Sequence, residues 1–515
     1  MQKAYTKVEP TTFDEFTATR DQLERVISRL RSPEASNQRH DELESMIHQE
    51  GQELCRLLYQ AGLDVRSNEE VKREAVTGHD NVVRTYYREG CERQIESMFG
   101  EVIYRRKGYS HPQGECLFPL DEALNMPKRK YTYGLRACIS LAVCQNAFDA
   151  SLEGLSTLIE GKIPKRQAQE LVSEVSTDFE AFYAQRAITP VQLPGTVLVM
   201  SQDGKGIALR HEDLREATRK AAQQEHHTLC TRLSTGEKRN RKRMATVATV
   251  YDVAPHVRSA VDVIGRQGED GKPSRKDAPK AQNKRVWASI EADMERVTEQ
   301  IVEESLRRDP KRERPWVMLV DGHKDQIKVI KRVFKRHAIK VPLILDFIHV
   351  LEYLWRATWC FFDSKDKEQA QAAEHWVLEK AQAILEGRSG PVAAGIRIKA
   401  KRCALSAKKQ EVIATVANYL TNHTAMLRYD QFMQQGYPIA TGVIEGACRH
   451  LIADRFEITG ARWSLKTAEG ILRLRAIRAS GDWDRYQAFH KKQEWKRNHL
   501  QRFHGPETQA MVWAE

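Results

Sequence analysis

Three acidic residues occupy positions from which they could form one metal-binding site. Asp203 follows an apolar, β-branched run, Asp321 ends another apolar run, and Glu445 lies in the opening of a late helical segment. Side chains beyond strand ends are exposed in the crevice of an α/β sheet, so these carboxylates can converge. Hard carboxylate oxygens bind Mg²⁺ or Mn²⁺, and two such ions clamp the attacking and leaving oxygens of phosphoryl transfer. The three acids therefore predict a two-ion phosphoryl-transfer site.

Each acid also has an ordinary structural interpretation. An Asp-Gly pair after a strand, as at Asp203 and Asp321, is usually a plain turn. Glu445 could be a first-turn acid that the helix dipole favours. The separations between the three residues along the chain are too loose to be diagnostic, so spacing alone leaves both interpretations open.

Four apolar runs predict the strands that would position these acids. They are Thr196–Gln202, Met244–Val253, Pro315–Val320 and Val341–Leu345. The last two flank a segment of helical periodicity, which predicts a βαβ crossover with a parallel pair. The charged stretch 212–243 is expected to be a loop or a phosphate-binding arm, and the charged stretch 266–284 a linker. Residues 287–306 are expected to form an amphipathic helix. From Phe347 to Met433 the pattern is helical throughout.

The N-terminal part carries helical patterns and one candidate DNA-reading motif. Residues 96–109 favour a short strand or hairpin with a basic edge. Residues 151–160, a Gly161 turn with Pro164, and residues 165–172 have the pattern of a helix-turn-helix. Its second helix would offer four polar side chains to a major groove: Lys165, Arg166, Gln167 and Gln169. An ordinary helical hairpin with a solvated basic face is the alternative.

Composition narrows the class of protein. The chain has 515 residues and a net charge of +12, which favours polyanionic partners without proving them. No Cys-x-x-Cys pair occurs among the nine cysteines, which are expected to be reduced. An apolar signal core and a membrane-spanning run are both lacking, so the expected location is the cytoplasm, with no membrane partner.

Several longer strings resemble one protein family. Residues 201–206 (SQDGKG), 345–355 (LDFIHVLEYLW), 437–450 (YPIATGVIEGACRH) and 454–464 (DRFEITGARWS) are similar to those of the ISKra group of bacterial insertion-sequence transposases. The resemblance covers roughly residues 196–478. It implies a DDE transposase with a ribonuclease-H-like core and a helical insertion between the last strand and the Glu-bearing helix.

The resemblance also implies roles for individual residues. Asp203, Asp321 and Glu445 map onto the catalytic, metal-binding triad, and Asp346 with His349 onto an accessory Asp-x-x-His element. Whether Asp321 or Asp346 is the second ligand stays open, with Asp321 favoured because Asp346 then keeps its accessory place. His349 could instead be a structural histidine.

Four basic residues and one tryptophan near the triad are expected to contact DNA. These are Lys205, Arg449, Arg455, Arg462 and Trp463, with Trp463 a candidate for stacking on a flipped base. Core packing is the alternative for Trp463.

Together these observations predict a multidomain α/β protein. The predicted segments are a helical N-terminal region with a hairpin (1–130), a helix-turn-helix region (131–190), the first part of the catalytic domain (191–352), a helical insertion (353–435), the catalytic-Glu helices (436–480) and a basic tail (481–515). The expected function is binding of terminal inverted repeats, then metal-dependent cleavage and joining of double-stranded DNA by a homodimer or larger synaptic complex, nucleoid-associated when DNA-bound. The alternatives are a nuclease of the same fold that does not join, and a DNA-binding repressor without catalysis.

Overall fold

The chain folds into a mixed α/β structure with two compact units. The computed structural model describes residues 14–157, 159, 161–188, 195–224, 229, 234, 241–265 and 278–503. One unit comprises Met1–Phe182 with Asp484–Glu515, and the other comprises Tyr183–Trp483. Both helices and strands are present, as predicted. Within the described ranges, no helix is both long and apolar enough to cross a lipid bilayer.

The N-terminal part combines helices with a small antiparallel sheet. Its elements are α1 (Thr17–Leu30), α2 (Pro33–Ser36), α3 (His40–Asn68), β1 (Val76–Thr77), β2 (Val83–Arg84), β3 (Tyr86–Ser97), β4 (Gly100–His111), β5 (Gly114–Leu117), α4 (Pro119–Ala123), α5 (Tyr133–Gln145), α6 (Phe148–Ser156), α7 (Lys165–Val175) and α8 (Phe179–Gln185). Strands β3, β4 and β5 form an antiparallel sheet, so the hairpin predicted around 96–109 is part of a larger meander. Ile95, Val102 and Tyr104 are fully buried in a cluster with Leu63 of α3.

Two helices lie where the helix-turn-helix was predicted, α6 and α7. Gly161 has a φ of +112°, a backbone conformation that favours glycine, as the pattern indicated. Pro164 is the N-cap of α7 and has an extended ψ of 134°, so it precedes the first turn rather than lying within it. Residues 158 and 160 of the predicted motif lie outside the described residues.

The second unit is built on a five-stranded mixed sheet. Its elements up to the last strand are β6 (Val197–Ala208), α9 (Glu216–Gln223), β7 (Lys242–Val253), α10 (Ala260–Ile264), β8 (Gln282–Ser289), α11 (Met294–Arg308), β9 (Trp316–Val320), α12 (Lys324–Arg336) and β10 (Leu343–Leu345). The strand order is β10-β9-β6-β7-β8. The three earlier strands pair antiparallel, whereas β9 pairs parallel with both β6 and β10. The predicted crossover from β9 through α12 to β10 is confirmed.

One strand was missed by the sequence patterns. Residues 282–289 form β8, although 266–284 was expected to be a linker and 287–306 a helix. The helix α11 begins at Met294, where the Asp293 side chain accepts a hydrogen bond from the Arg296 amide (2.8 Å). Val286, Trp287 and Ala288 are buried, and their strand pairs antiparallel with β7 at the edge of the sheet. Burial against the sheet therefore overrides a pattern that local periodicity assigns to a helix.

Helices follow the sheet through the rest of this unit. They are α13 (Phe347–Phe361), α14 (Lys367–Leu385), α15 (Ser389–Arg402), α16 (Ala407–Asn422), α17 (Tyr429–Gln434), α18 (Gly442–Ala447), α19 (Asp454–Phe456) and α20 (Leu465–Ala479). Residues 448–453, between α18 and α19, form wider π-helical turns. The predicted helical stretch between 347 and 433 is confirmed.

The C-terminal helices belong to the first unit. They are α21 (Trp483–Trp495) and α22 (Gln501–Phe503), joined by π-helical turns at 496–500. Tyr486 is fully buried, and its hydroxyl donates a hydrogen bond to the Val175 carbonyl (2.6 Å). The described part of the predicted basic tail is therefore packed against this unit, because Tyr486, His490, His499 and Phe503 are buried. Residues 504–515 lie outside the described residues.

Candidate active site

Three aspartates lie in register on neighbouring parallel strands. The ladder between β6 and β9 ends with the pair Ser201 and Leu319, and Asp203 and Asp321 each follow that pair by two residues. In the ladder between β9 and β10, Leu345 pairs with Val320, so Asp346 stands opposite Asp321. The Asp346 amide still donates to the Val320 carbonyl at 2.8 Å. Since paired strands lie about 4.8 Å apart, the three carboxylates share one edge of the sheet.

Asp203 lies inside its strand rather than beyond the strand's end, which corrects the sequence-based placement. Strand β6 continues to Ala208 because β7 pairs with it over the whole length, including Asp203 with Val247. Asp203 is therefore held within the β6–β7 ladder, at the level where β9 has already ended.

A buried cysteine contacts Asp203. The Cys448 thiol donates to Asp203 Oδ2 (3.2 Å), and Asp203 Oδ1 accepts from the Gly204 amide (2.6 Å). Burial raises the pKa of Cys448, and the negative charge of Asp203 raises it further. The thiol therefore stays protonated and connects β6 to the turns that follow α18.

The turn after β9 fixes Asp321. Its Oδ1 accepts from the His323 amide (2.8 Å), and its carbonyl accepts from the Tyr419 hydroxyl (3.0 Å). Gly322 between them has a φ of +95°, and a Cβ there would lie 2.8 Å from the Tyr419 ring. The glycine of this Asp-Gly pair is thus required by both backbone conformation and space.

Asp346 is the most enclosed of the acids. It caps α13, is fully buried, and accepts hydrogen bonds from the Ile348 amide (3.2 Å), the Thr441 amide (3.2 Å) and the Thr441 hydroxyl (2.7 Å). Its Oδ2 lies 2.6 Å from His349 Nδ1. Burial acts to raise the pKa of Asp346, but the hydrogen bonds from His349 and Thr441 outweigh it and leave the pKa below its usual value.

His349 forms an ion pair with this carboxylate. The hydrogen bond to Asp346 raises the pKa of His349 to about 9, partly opposed by burial and helped by the charges of Glu352 and Asp321. The imidazole is therefore protonated near neutral pH, and its side chain is 36% exposed. A protonated imidazole donates from both nitrogens and has no lone pair for a metal.

Glu445 comes from the opposite side of the site, on α18. It lies in the first turn of that helix, as predicted, and is exposed. Its Oε1 is 3.2 Å from the Thr441 hydroxyl, which also contacts Asp346. Among the described residues, the one group of three possible ligands whose atoms all lie within 4.8 Å of one another is Asp346, His349 and Glu445.

The predicted DNA-reading side chains of α7 are engaged within their own unit. Lys165 pairs with Asp149 (2.6 Å), and Arg166 pairs with Glu170 (3.2 Å). Gln167 accepts a hydrogen bond from the Tyr131 hydroxyl, and Gln169 is half-buried. Lys165 and Arg166 remain exposed, so these surface pairs can exchange for phosphate contacts at small cost.

The basic residues near the triad divide into exposed and buried groups. Arg462 is exposed. The Lys205 side chain is 39% exposed and lies 3.9 Å from Glu457, and the Arg449 side chain is 76% exposed and lies 3.6 Å from Asp454. Arg455 and Trp463 are buried, at 3% and 6% exposure, with the guanidinium 4.5 Å above the indole ring.

The burial of Arg455 and Trp463 favours packing over the DNA contacts that were predicted for them. Trp463 also packs against Phe456, and its backbone exchanges hydrogen bonds with Ala208 (3.1 Å) and Arg210 (2.9 Å) at the end of β6. Both side chains are packed among neighbouring residues of the same unit rather than presented at its surface. Packing, the alternative for Trp463, is what the structure favours.

Three residues of the site carried no sequence signal that singled them out: Thr441, Cys448 and Tyr419. Each acts through a partner far along the chain, for example Thr441 on Asp346 and Cys448 on Asp203. Thr441 does precede α18, where a hydroxyl is expected to cap the helix, yet its side chain serves the aspartate instead.

Comparison with known proteins gives weak structural similarity and no sequence match. No protein-family model and no curated protein matches the chain. A solved structure described as a Drosophila P element transposase strand transfer complex is similar at 9% identity, over 69% of this chain and 80% of that one, with a TM-score of 0.22. A likeness of this size carries no conclusion about the activity of this chain.

Proposed function

We propose that this chain is a DDE transposase, which cleaves and joins DNA with divalent metal ions. The observation that carries the proposal is that Asp203, Asp321 and Asp346 lie within or directly after three adjacent strands, while Thr441 links Asp346 to Glu445 of α18. Four acidic side chains gathered around a crevice repel one another unless cations neutralise them. Phosphoryl transfer on DNA is the chemistry that such a set of hard oxygen ligands suits.

The second unit is proposed to be a ribonuclease-H-like domain. Three antiparallel strands followed by two parallel ones, in the order β10-β9-β6-β7-β8, are the arrangement expected of that fold. The helices between β10 and α18 would be its helical insertion. Membership of the ISKra group, and with it a bacterial insertion sequence as the substrate, is part of the proposal and rests on the sequence resemblance.

The hydrogen bonds favour Asp203, Asp321 and Glu445 as the metal ligands. Asp346 accepts four hydrogen bonds, which occupy the roughly four lone-pair sites of a carboxylate. Among the described residues, the Asp321 carboxylate accepts one hydrogen bond, and Glu445 is exposed. Proximity alone would select Asp346, His349 and Glu445, but the lone pairs of that aspartate are already used, and a metal would have to displace the proton that the raised pKa of His349 favours.

The donor set therefore fits Mg²⁺ or Mn²⁺, and we propose two ions at Asp203, Asp321 and Glu445. When bound, such ions activate the attacking oxygen and stabilise the leaving oxygen. The protein's own part is positioning. Cys448 holds Asp203, and Tyr419 holds the turn of Asp321. Thr441 and His349 keep Asp346 ionised and anchor the start of α18 against β10.

DNA is the proposed partner of the surfaces around this site. Lys205 follows Asp203 by two residues on the same strand, and Arg449 follows Glu445 by four. Exposed cations so close to the carboxylates would attract backbone phosphates to the crevice. Binding of terminal inverted repeats through α7, and pairing of two ends by a dimer or larger complex, are proposed with it.

The test is a plasmid excision-and-integration assay with the element's ends supplied. We expect Asp203→Asn, Asp321→Asn and Glu445→Gln to fall to background. Asp325→Asn is the matched control, because that aspartate is 74% exposed and pairs only with Lys328 in the ion pairs of the described residues. Asp346→Asn is expected to retain part of the activity.

Other outcomes would change the proposal in defined ways. An inactive Asp346→Asn with an active Asp321→Asn would move the second ligand to Asp346. Full activity of Glu445→Gln would overturn the DDE mechanism. Cleavage without joining by the wild type would instead identify a nuclease.

A further inference from the structure

The first unit contains a cavity of about 410 Å³ whose walls are rich in cations. Five of its lining residues are Arg93, Arg106, Lys128, Arg497 and Arg502, against the two carboxylates of Glu115 and Asp121. They come from β3, β4, the segment after α4 and the C-terminal turns. The volume lies within the range of small-ligand pockets.

At the inner wall, two guanidinium groups share one carboxylate. Asp121 accepts hydrogen bonds from the Tyr104 hydroxyl (2.6 Å), from Arg93 (3.4 Å) and from Arg106. The side chains of Arg93, Arg106 and Asp121 are only 17%, 12% and 12% exposed. Two positive charges thus share one carboxylate in a poorly hydrated place, and Arg93 also donates to the Pro127 carbonyl and to the Arg129 carbonyl (3.2 Å).

Arg106 also has an unused donor. Its Nε–H is buried and has no hydrogen-bond partner among the described residues. Its guanidinium plane lies 3.7 Å from the Phe118 ring centre, which fixes its orientation. A buried donor without a partner is destabilising, so the protein's own acceptors do not fully satisfy this guanidinium group.

The outer wall contributes a further positive charge. Lys128 is exposed and makes no ion pair within the described residues, whereas Arg502 pairs with the exposed Glu115 (2.6 Å). Arg497 is already neutralised by Asp178 and Glu494. The positive excess of the cavity therefore comes from the Arg93–Arg106 pair and from Lys128.

We propose that this cavity binds a phosphate group carried by a nucleotide or by a DNA strand. Arginine forks suit the several oxygens of a phosphate, and a lysine adds a mobile charge at the rim. The space exceeds that of a phosphate alone, which leaves room for the attached nucleoside. This site lies within the first unit and does not depend on the metal chemistry proposed for the second.

The test is calorimetric titration of the full chain in EDTA at constant ionic strength. The probes are inorganic phosphate, a deoxynucleoside monophosphate, and a short dT oligonucleotide with and without a 5′-phosphate. We expect Lys128→Ala, and Arg106→Lys, which keeps a charge beside Asp121 but removes the arginine fork, to weaken binding by roughly tenfold each. Arg31→Ala, an exposed cation of the same unit away from the cavity lining, should leave it unchanged.

The outcomes separate the two sources of phosphate. A monophosphate that binds as tightly as the oligonucleotide identifies a nucleotide, and much tighter binding of the oligonucleotide identifies a DNA strand. The proposal is overturned if no probe binds the wild type below about 1 mM, or if Arg31→Ala weakens binding as much as the two cavity variants. Asp203→Asn should bind the probes like the wild type, which separates this site from the proposed transposase activity.

Discussion

Each unit contains a buried aspartate that is hydrogen-bonded to a histidine, and the two pairs differ in their surroundings. In the second unit, Asp346 Oδ2 lies 2.6 Å from His349 Nδ1. In the first, Asp178 Oδ2 lies 2.7 Å from His490 Nδ1. Asp346 is fully buried and Asp178 is 6% exposed. By bond length and burial of the acid the two pairs are nearly the same.

The neighbours of each pair make the difference. Asp178 also accepts hydrogen bonds from the two terminal nitrogens of Arg497 (2.5 and 2.9 Å), and His490 is buried and stacked on Tyr486. His349 is partly exposed, and the charges of Glu352 and Asp321 act on it. The first pair therefore clamps α21 to the loop before α8, whereas the second borders a crevice of acids. An aspartate–histidine pair indicates a site only when further ligands converge on it.

The largest effect is expected from Asp178→Ala in the first unit. It leaves Arg497 and the buried His490 without their shared partner, which should lower the free energy of unfolding by about 3–5 kcal/mol. Urea denaturation with hydrogen exchange of residues 484–503 measures it. Asp149→Ala is the control, because that exposed aspartate pairs only with Lys165 in the ion pairs of the described residues, and it should change stability by less than about 1 kcal/mol. A loss below that value for Asp178→Ala would contradict the clamp.

A smaller loss is expected from Asp346→Asn. The amide oxygen can still accept from Ile348 and Thr441, but the charge opposite His349 is gone. We therefore expect the free energy of unfolding to fall by about 1.5–3 kcal/mol. The pKa of His349, followed by NMR, should fall from about 9 toward 6.5. An unchanged histidine pKa would show that Asp346 is not its main partner.

Thr441→Val removes one hydroxyl from the same cluster. Because the Thr441 amide continues to donate to Asp346, the free energy of unfolding should fall by only about 1 kcal/mol, measured by thermal or urea unfolding. Thr415→Val is the matched control, since its exposed hydroxyl bonds only the Glu411 carbonyl of its own helix among the described hydrogen bonds. Equal losses in both variants would argue against a role of the Thr441 hydroxyl in holding Asp346.

The smallest effect is the pH dependence that His349 confers. Its pKa is raised from 6.5 to about 9 in the folded state, so its contribution is complete below pH 6.5 and is lost as the pH rises through about 9. The difference in stability between wild type and His349→Gln should therefore shrink between pH 6.5 and 9. Partial exposure screens the pair, which keeps the effect small. A constant difference across this range would show that the histidine is not charged in the folded protein.

Much of the second unit follows from local sequence. The run Pro315–Val320 ends in Asp321-Gly322, and the structure has a strand there, a positive φ at the glycine and a helix after it. Apolar runs of this length and helical periodicity are decided by neighbours within a few residues. For the same reason the helices from 347 to 433 were predictable, as was the place of Glu445 in a first helical turn.

Other features depend on partners that the sequence does not bring together. Strand β8 exists because β7 offers it an edge, and Asp203 lies within β6 because β7 extends past it. Asp346 is closed off by Thr441, and Trp463 is buried against the end of β6.

The sequence by itself determined the acids, the strands around them and the parallel crossover, because periodicity and turn chemistry are local. Only the tertiary structure decided which lone pairs remain open and which cations stay exposed, because these depend on side chains contributed by remote segments.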